Sequence, residues 1–141
     1  MSIFPRSENI CTRIPIHVRL RRTEKPLAPR LVVWNKSTEK VEQTITMIPT
    51  DSGHYYVRAA MEEILLEEQG QLKGIVMDKI IILHIDNPSV PSLDLVDLPG
   101  LVSVPNEDEP ENMMELTKAC AEGHIDEFKD NSIFLGTLTQ Y

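Results

Sequence analysis

The stretch Ile80-Ile81-Ile82-Leu83-His84-Ile85-Asp86 constrains this chain more than any other. A strand with one wet face alternates apolar and polar residues. This one is almost continuously apolar and β-branched, and Ile75-Val76-Met77 precedes it. Such a run reads as a strand covered on both faces, so something must pack on each side of its sheet. Its four-residue aliphatic core is far too short to cross a bilayer. Covering layers are available in the same sequence. Val57, Ala60, Met61, Ile64, Leu65 and Glu68 recur at helical spacing, with Glu62, Glu63 and Glu67 largely on the opposite side and Gly70 placed as a stop.

The remaining segments predict more strands and one more helix. Ile14 to Arg21 alternates with period two, placing Ile14, Ile16, Val18 and Leu20 inward and His17, Arg19 and Arg21 outward. Lys25 to Pro29 is a turn, and Leu31-Val32-Val33-Trp34 is expected as the hairpin partner of that first strand. Residues 43–48 form a weak strand. Leu93-Asp94-Leu95-Val96-Asp97 is predicted as a second buried strand, ended abruptly by Leu98-Pro99-Gly100. An acidic loop over 101–110 leads to a helix from about Glu111, with Met114, Thr117, Ala121, Ile125 and Phe128 on its apolar face. Residues 132–137 read as a final strand. Strands and helices alternate late in the chain, so the fold class is α/β, and 141 residues suit one domain.

Composition excludes several functions. The net charge is −8 and aromatics are 5% of residues, a poor match to a nucleic-acid backbone. Residues 1–30 carry +5 and the remainder −13, and the basic head reads as a solvated strand face. Met1 to Arg6 does not resemble a secretory signal. Cys11 and Cys120 form no CxxC pair, which fits buried or incidental thiols in a reducing cytosol. His17, His54, His84 and His124 show no ligand spacing and are expected to be solvated or hydrogen-bonded. Glu107-Asp108-Glu109 is expected to be solvated too, because three consecutive residues converge poorly on one ion.

The sharpest chemical signal is Asp97-Leu98-Pro99-Gly100, an acidic residue at the carboxyl end of a strand with glycine three positions later. That DxxG spacing suits nucleotide hydrolases. The aspartate reaches Mg²⁺ directly or through water, at the crevice where ligands bind in open sheets. The glycine lets a backbone N–H approach a terminal phosphate. Taken alone, the pattern favours the plainer reading, with Asp97 capping a turn and Gly100 supplying a positive φ.

A second segment changes the balance. Phe4-Pro5-Arg6, followed by Ile10-Cys11-Thr12-Arg13-Ile14-Pro15, resembles the first switch of the dynamin superfamily of large GTPases, which reads Pro-Arg-Gly-x-Gly-Ile-x-Thr-Arg-x-Pro. Pro88 to Gly100 resembles the same family's approach to its second switch, and the order of intervening elements agrees. The resemblance implies an incomplete dynamin-type G domain over residues 1–141, with switch I at about 5–15 and switch II at about 97–110. It implies GTP and Mg²⁺ as ligands and GTP hydrolysis as the family's activity. Thr12 would be the catalytic switch threonine, its hydroxyl on Mg²⁺. Asp97 would hold the metal through water, and Gly100 would donate its N–H to the γ-phosphate. Arg6, Ser7, Asn9 and Arg13 would line the switch I loop. Phosphoryl transfer depends on positioning and charge compensation, which such residues supply.

Two departures stand out. Ser7 and Asn9 replace the family's two loop glycines, which puts cation-assisted hydrolysis in question, and Asp94 replaces the usual strand threonine. The 141 residues contain no Gly-x-x-x-x-Gly-Lys-Ser/Thr and no Thr/Asn-Lys-x-Asp, so no catalytic base can be named. The expected architecture is a partial P-loop GTPase sheet with flanking helices and its central first strand missing. That absence is expected to leave the hairpin side and the Ile80/Leu93 side without their common neighbour. Two functions remain open: a GTP-binding, GTP-hydrolysing G-domain segment, or a nucleotide-free interaction or regulatory fragment. The partners implied are GTP for the first, and self-association or a full-length dynamin-like protein, without nucleic acid. The location implied is cytoplasmic, with peripheral contact at membranes or cytoskeleton through parts outside these residues.

Overall fold

In a computed structural model of the chain, residues 12–47, 53–70, 74–101, 107 and 109–136 are described. They form five strands and two helices in the order β1 (Ile16–Arg21), β2 (Arg30–Asn35), β3 (Lys40–Thr46), α1 (Gly53–Gln69), β4 (Lys79–Asp86), β5 (Leu93–Asp97) and α2 (Met113–Phe128). The fold is α/β as expected. One mixed sheet runs β3-β2-β4-β1-β5, and β4 lies at its centre with its first five residues buried. Its neighbours are β1, parallel, and β2, antiparallel.

The register explains the two-sided burial. Ile16 and Val33 both stand opposite Ile81, and Val18 and Leu31 both stand opposite Leu83, so these six side chains share one face. Onto it α1 packs Val57, Ala60, Met61, Ile64 and Leu65, the stripe read from the sequence. Each fully buried aliphatic side chain of this kind contributes about 1.5–3 kcal/mol relative to exposure. Gly70 ends the helix at φ +66°, its N–H reaching the Leu66 carbonyl at 3.0 Å. The opposite face carries His17, Ile80 and Ile82, and there α2 stacks His124 and Phe128 against the His17 ring.

Five expectations are corrected. Leu31 to Trp34 does not pair with β1. β4 intervenes, and the hairpin is β2 with β3. The sheet is therefore continuous, and the hairpin does not wait for a missing neighbour. β5 is not buried: it is an edge strand, with Leu93, Leu95 and Val96 at 46%, 42% and 44% exposure, because only β1 flanks it among the described residues. Residues 132–136 form no strand and are exposed. Finally, α2 buries Met113, Thr117, Cys120 and His124, while Met114 and Ile125 face solvent. The helix is turned by about one position from the expected face, since contact with His17 selects His124. No described helix is long and apolar enough to cross a membrane.

Candidate functional site

Antiparallel pairing of β1 with β5 sets Ile16 opposite Asp97, so the chain leading into β1 passes the carboxyl end of β5. Thr12 lies in that lead-in and is buried. Its hydroxyl donates a hydrogen bond to Asp97 Oδ2 at 2.6 Å, across 85 residues of sequence. Burial pushes the Asp97 carboxyl above its usual range, partly countered by the Thr12 bond. The pair is thus a desolvated carboxylate beside a hydroxyl.

Gly100 follows three residues later. Its φ is not positive, and an added Cβ would meet nothing within 4 Å. The turn-geometry reason for glycine therefore does not apply at this position, and the space beside it is open.

Arg13 turns away from Thr12 and is held from several directions. Its N–H points to Met61 Sδ at 3.4 Å, and its carbonyl accepts from the Val76 N–H at 3.1 Å. Its guanidinium grips Glu109 with two parallel bonds of 3.0 and 2.6 Å and also donates to the Gly74 carbonyl at 3.3 Å. The side chains of Arg13 and Glu109 are only 13% and 6% exposed. Glu109 also accepts from the Gly74 N–H at 3.5 Å. Gly74 itself has φ +85°, and a Cβ there would collide with the Gln69 amide, which donates to the Ile75 carbonyl. Fork-on-fork pairing satisfies both buried charges.

Of the expected site residues, the structure brings Thr12 and Asp97 together, sets Gly100 in the irregular chain just after β5, and directs Arg13 to Glu109. Arg6, Ser7 and Asn9 lie outside the described residues. Glu109 is a correction, since it was expected to be solvated with Glu107. Glu107 is exposed, but Glu109 is buried on Arg13, 96 residues away, a separation that leaves no local signal.

His17 is a second correction, its Nε2 buried without a hydrogen-bond partner; the Nε2 of His124 is buried likewise, but its Nδ1 is hydrogen-bonded as expected, 3.1 Å from the Cys120 carbonyl. Burial, followed by repulsion from His124 and Arg19, lowers the His17 pKa to about 4. Burial lowers that of His124 as well. Sequence reasoning also missed Lys79. Its ammonium meets Glu68 at 2.8 Å and Glu42 at 2.9 Å, joining α1, β3 and β4 at one rim of a cavity of about 260 Å³. The available signal was a lysine heading an apolar run. Among the described residues no group of three or more His, Cys, Asp or Glu could hold a metal ion.

The five-stranded mixed sheet with its two helices is consistent with a partial GTPase G domain. The Dynamin family model matches residues 1–135, and the chain belongs to that family. It is 35% identical to dynamin-related protein 4C of Arabidopsis thaliana over 138 residues, which is 96% of this chain and 18% of that protein. It is 32% identical to the putative dynamin-related protein 4A of the same plant, again over 96% of this chain and 40% of the relative. Similarity extends to the interferon-induced GTP-binding protein Mx2 of Ictalurus punctatus, 27% identical over 82% of this chain and 17% of that protein. The chain spans less than half the length of these relatives.

Proposed function

We propose that residues 1–141 are an incomplete dynamin-type G domain that contacts GTP and Mg²⁺ through switch I, about residues 5–15, and switch II, about residues 97–110. The observation that carries this reading is the 2.6 Å bond between Thr12 and Asp97. Mg²⁺ accepts one or two protein oxygens and completes its shell with water and phosphate, so a hydroxyl and one carboxylate are a fitting donor set. The desolvated Asp97 carboxylate favours a cation beside it. When bound, Mg²⁺ neutralises charge on the phosphate oxygens. Thr12, through its hydroxyl, and Asp97, through water, would hold it. Gly100 offers its N–H where no side chain obstructs a phosphate. The relatives' names support the nucleotide: the Mx proteins are named as binding GTP.

A titration of the full chain with a fluorescent GTP analogue, in Mg²⁺ and in EDTA, tests the reading. Binding is expected to need Mg²⁺, and Thr12→Ala or Asp97→Asn should weaken it by about tenfold or more. Equal signals in Mg²⁺ and EDTA, or variants that bind like the wild type, would remove the assignment. A second reading, a nucleotide-free interaction or regulatory fragment that associates with its own kind or with a full-length dynamin-like protein, is favoured by one feature. The exposed apolar residues of β5 stand on an edge that is unpaired among the described residues.

A further inference from the structure

We infer that Arg13 and Glu109 form a latch that positions the Thr12 hydroxyl and couples the two switch segments; this rests on the G-domain reading for its functional meaning, but not for its geometry. Three stretches of chain meet at the latch. Arg13 is joined directly to Thr12, so fixing its peptide fixes the neighbour to within one Cα step of about 3.8 Å. Glu109 stands nine residues after Gly100 and four before α2 begins, at the far end of the acidic loop. Gly74 closes the knot, accepting from Arg13 and donating to Glu109, in the connection between α1 and β4.

The chemistry makes the latch two-state rather than soft. A carboxylate at 6% exposure is stable only while its partners are in place, and the guanidinium fork supplies two bonds in one plane. The Arg13 main chain is meanwhile pinned to Val76 and Met61, which belong to the core cluster. A displacement of Glu109 therefore reaches Thr12 through a rigid pair and not through solvent. Arg13 and Glu109 touch neither Asp97 nor the open space at Gly100 by any bond described above, so they are positioning residues.

Hydrogen–deuterium exchange on the whole chain without nucleotide tests the latch directly. Glu109→Gln is expected to raise exchange across residues 12–16 and 74–76 by about tenfold, while residues 30–46 in β2 and β3 stay as in the wild type. The reciprocal swap Arg13→Glu with Glu109→Arg should restore much of the protection, since the pairing survives with its ends exchanged. Unchanged exchange over 12–16 in Glu109→Gln would overturn the proposal. So would a rise spread evenly over β2 and β3, or a swap no better than the single variant. Fluorescent GTP titration of the same variants separates the two readings. A latch that passes the exchange test in a chain that binds no nucleotide leaves the coupling standing and removes the G-domain function.

Discussion

His17 shows how a single residue on an otherwise apolar contact sets a pH response. Its ring lies edge-on to His124 at 5.7 Å and to Phe128 at 6.1 Å, and it packs where α2 covers the sheet. The groups facing it are His124 and Glu127 from α2, Arg19 from β1 and Lys36 after β2. With a folded pKa of about 4 against 6.5, the neutral ring is the form that packs. The sign follows. Protonation favours the unfolded chain, so this contribution to stability is complete above pH 6.5 and is lost as pH falls toward 4. His17→Leu is therefore expected to gain thermal stability relative to the wild type as pH is lowered through that window. Melting curves of both chains at several pH values check this. Parallel pH profiles would mean that the ring does not titrate in the fold. An unpartnered buried Nε2 also costs about 1–3 kcal/mol at neutral pH, which the leucine removes.

At the scale of elements, ion pairs across the sheet stitch together pieces that are remote in sequence. The basic head is not a solvated face throughout: Arg21 pairs with Asp94 on β5, and Arg30 with Asp86 on β4. Such pairs with solvent-facing guanidinium groups contribute little, because water screens them. Lys79 is different. Burial works against its charge, but hydrogen bonds to Glu68 and Glu42 prevail and raise its pKa, keeping the ammonium charged. Glu67, at 4.0 Å, completes the group, so the C-terminal turns of α1 and the middle of β3 are drawn to the start of β4. Lys79→Met should cost about 1–2 kcal/mol, since three carboxylates lose their counter-ion but remain wet enough to hydrate. Urea denaturation measures this, and added salt should narrow the difference by screening the carboxylates. A variant as stable as the wild type would show that the cluster is ornamental.

For the whole molecule, the decisive feature is which edge of the sheet is protected. β3 ends the sheet with Lys40, Glu42, Gln43, Thr44 and Thr46, a polar margin that resists pairing. β5 ends it with Leu93, Leu95 and Val96 exposed, on an edge that is unpaired among the described residues. Unless another strand covers that edge, the chain is expected to associate with increasing concentration, and Leu95→Lys should reduce this by placing a charge on the edge. Sedimentation of both chains over a range of concentrations provides the measure. A wild-type chain that stays monomeric at high concentration would show that the edge is already protected. Conversely, suppression of association by nucleotide in Mg²⁺ would connect the edge to the adjacent Asp97 site.

Features that belong to one segment were legible from the sequence. The stripe on α1, the two-sided burial of β4, the end of α1 at Gly70 and the approach of a DxxG turn to a strand end all follow from local periodicity and backbone preference, which need no partner. The candidate residues Thr12, Asp97 and Gly100 were legible as a pattern resembling a family's motifs. The direct bond from Thr12 to Asp97 was not, because it depends on β1 and β5 running antiparallel. Strand order, the exposure of β5, the rotation of α2 and the burial of Glu109 were decided by the tertiary structure. Each depends on which distant segment arrives alongside. Periodicity in one stretch of chain carries no information about a partner 85 or 96 residues away.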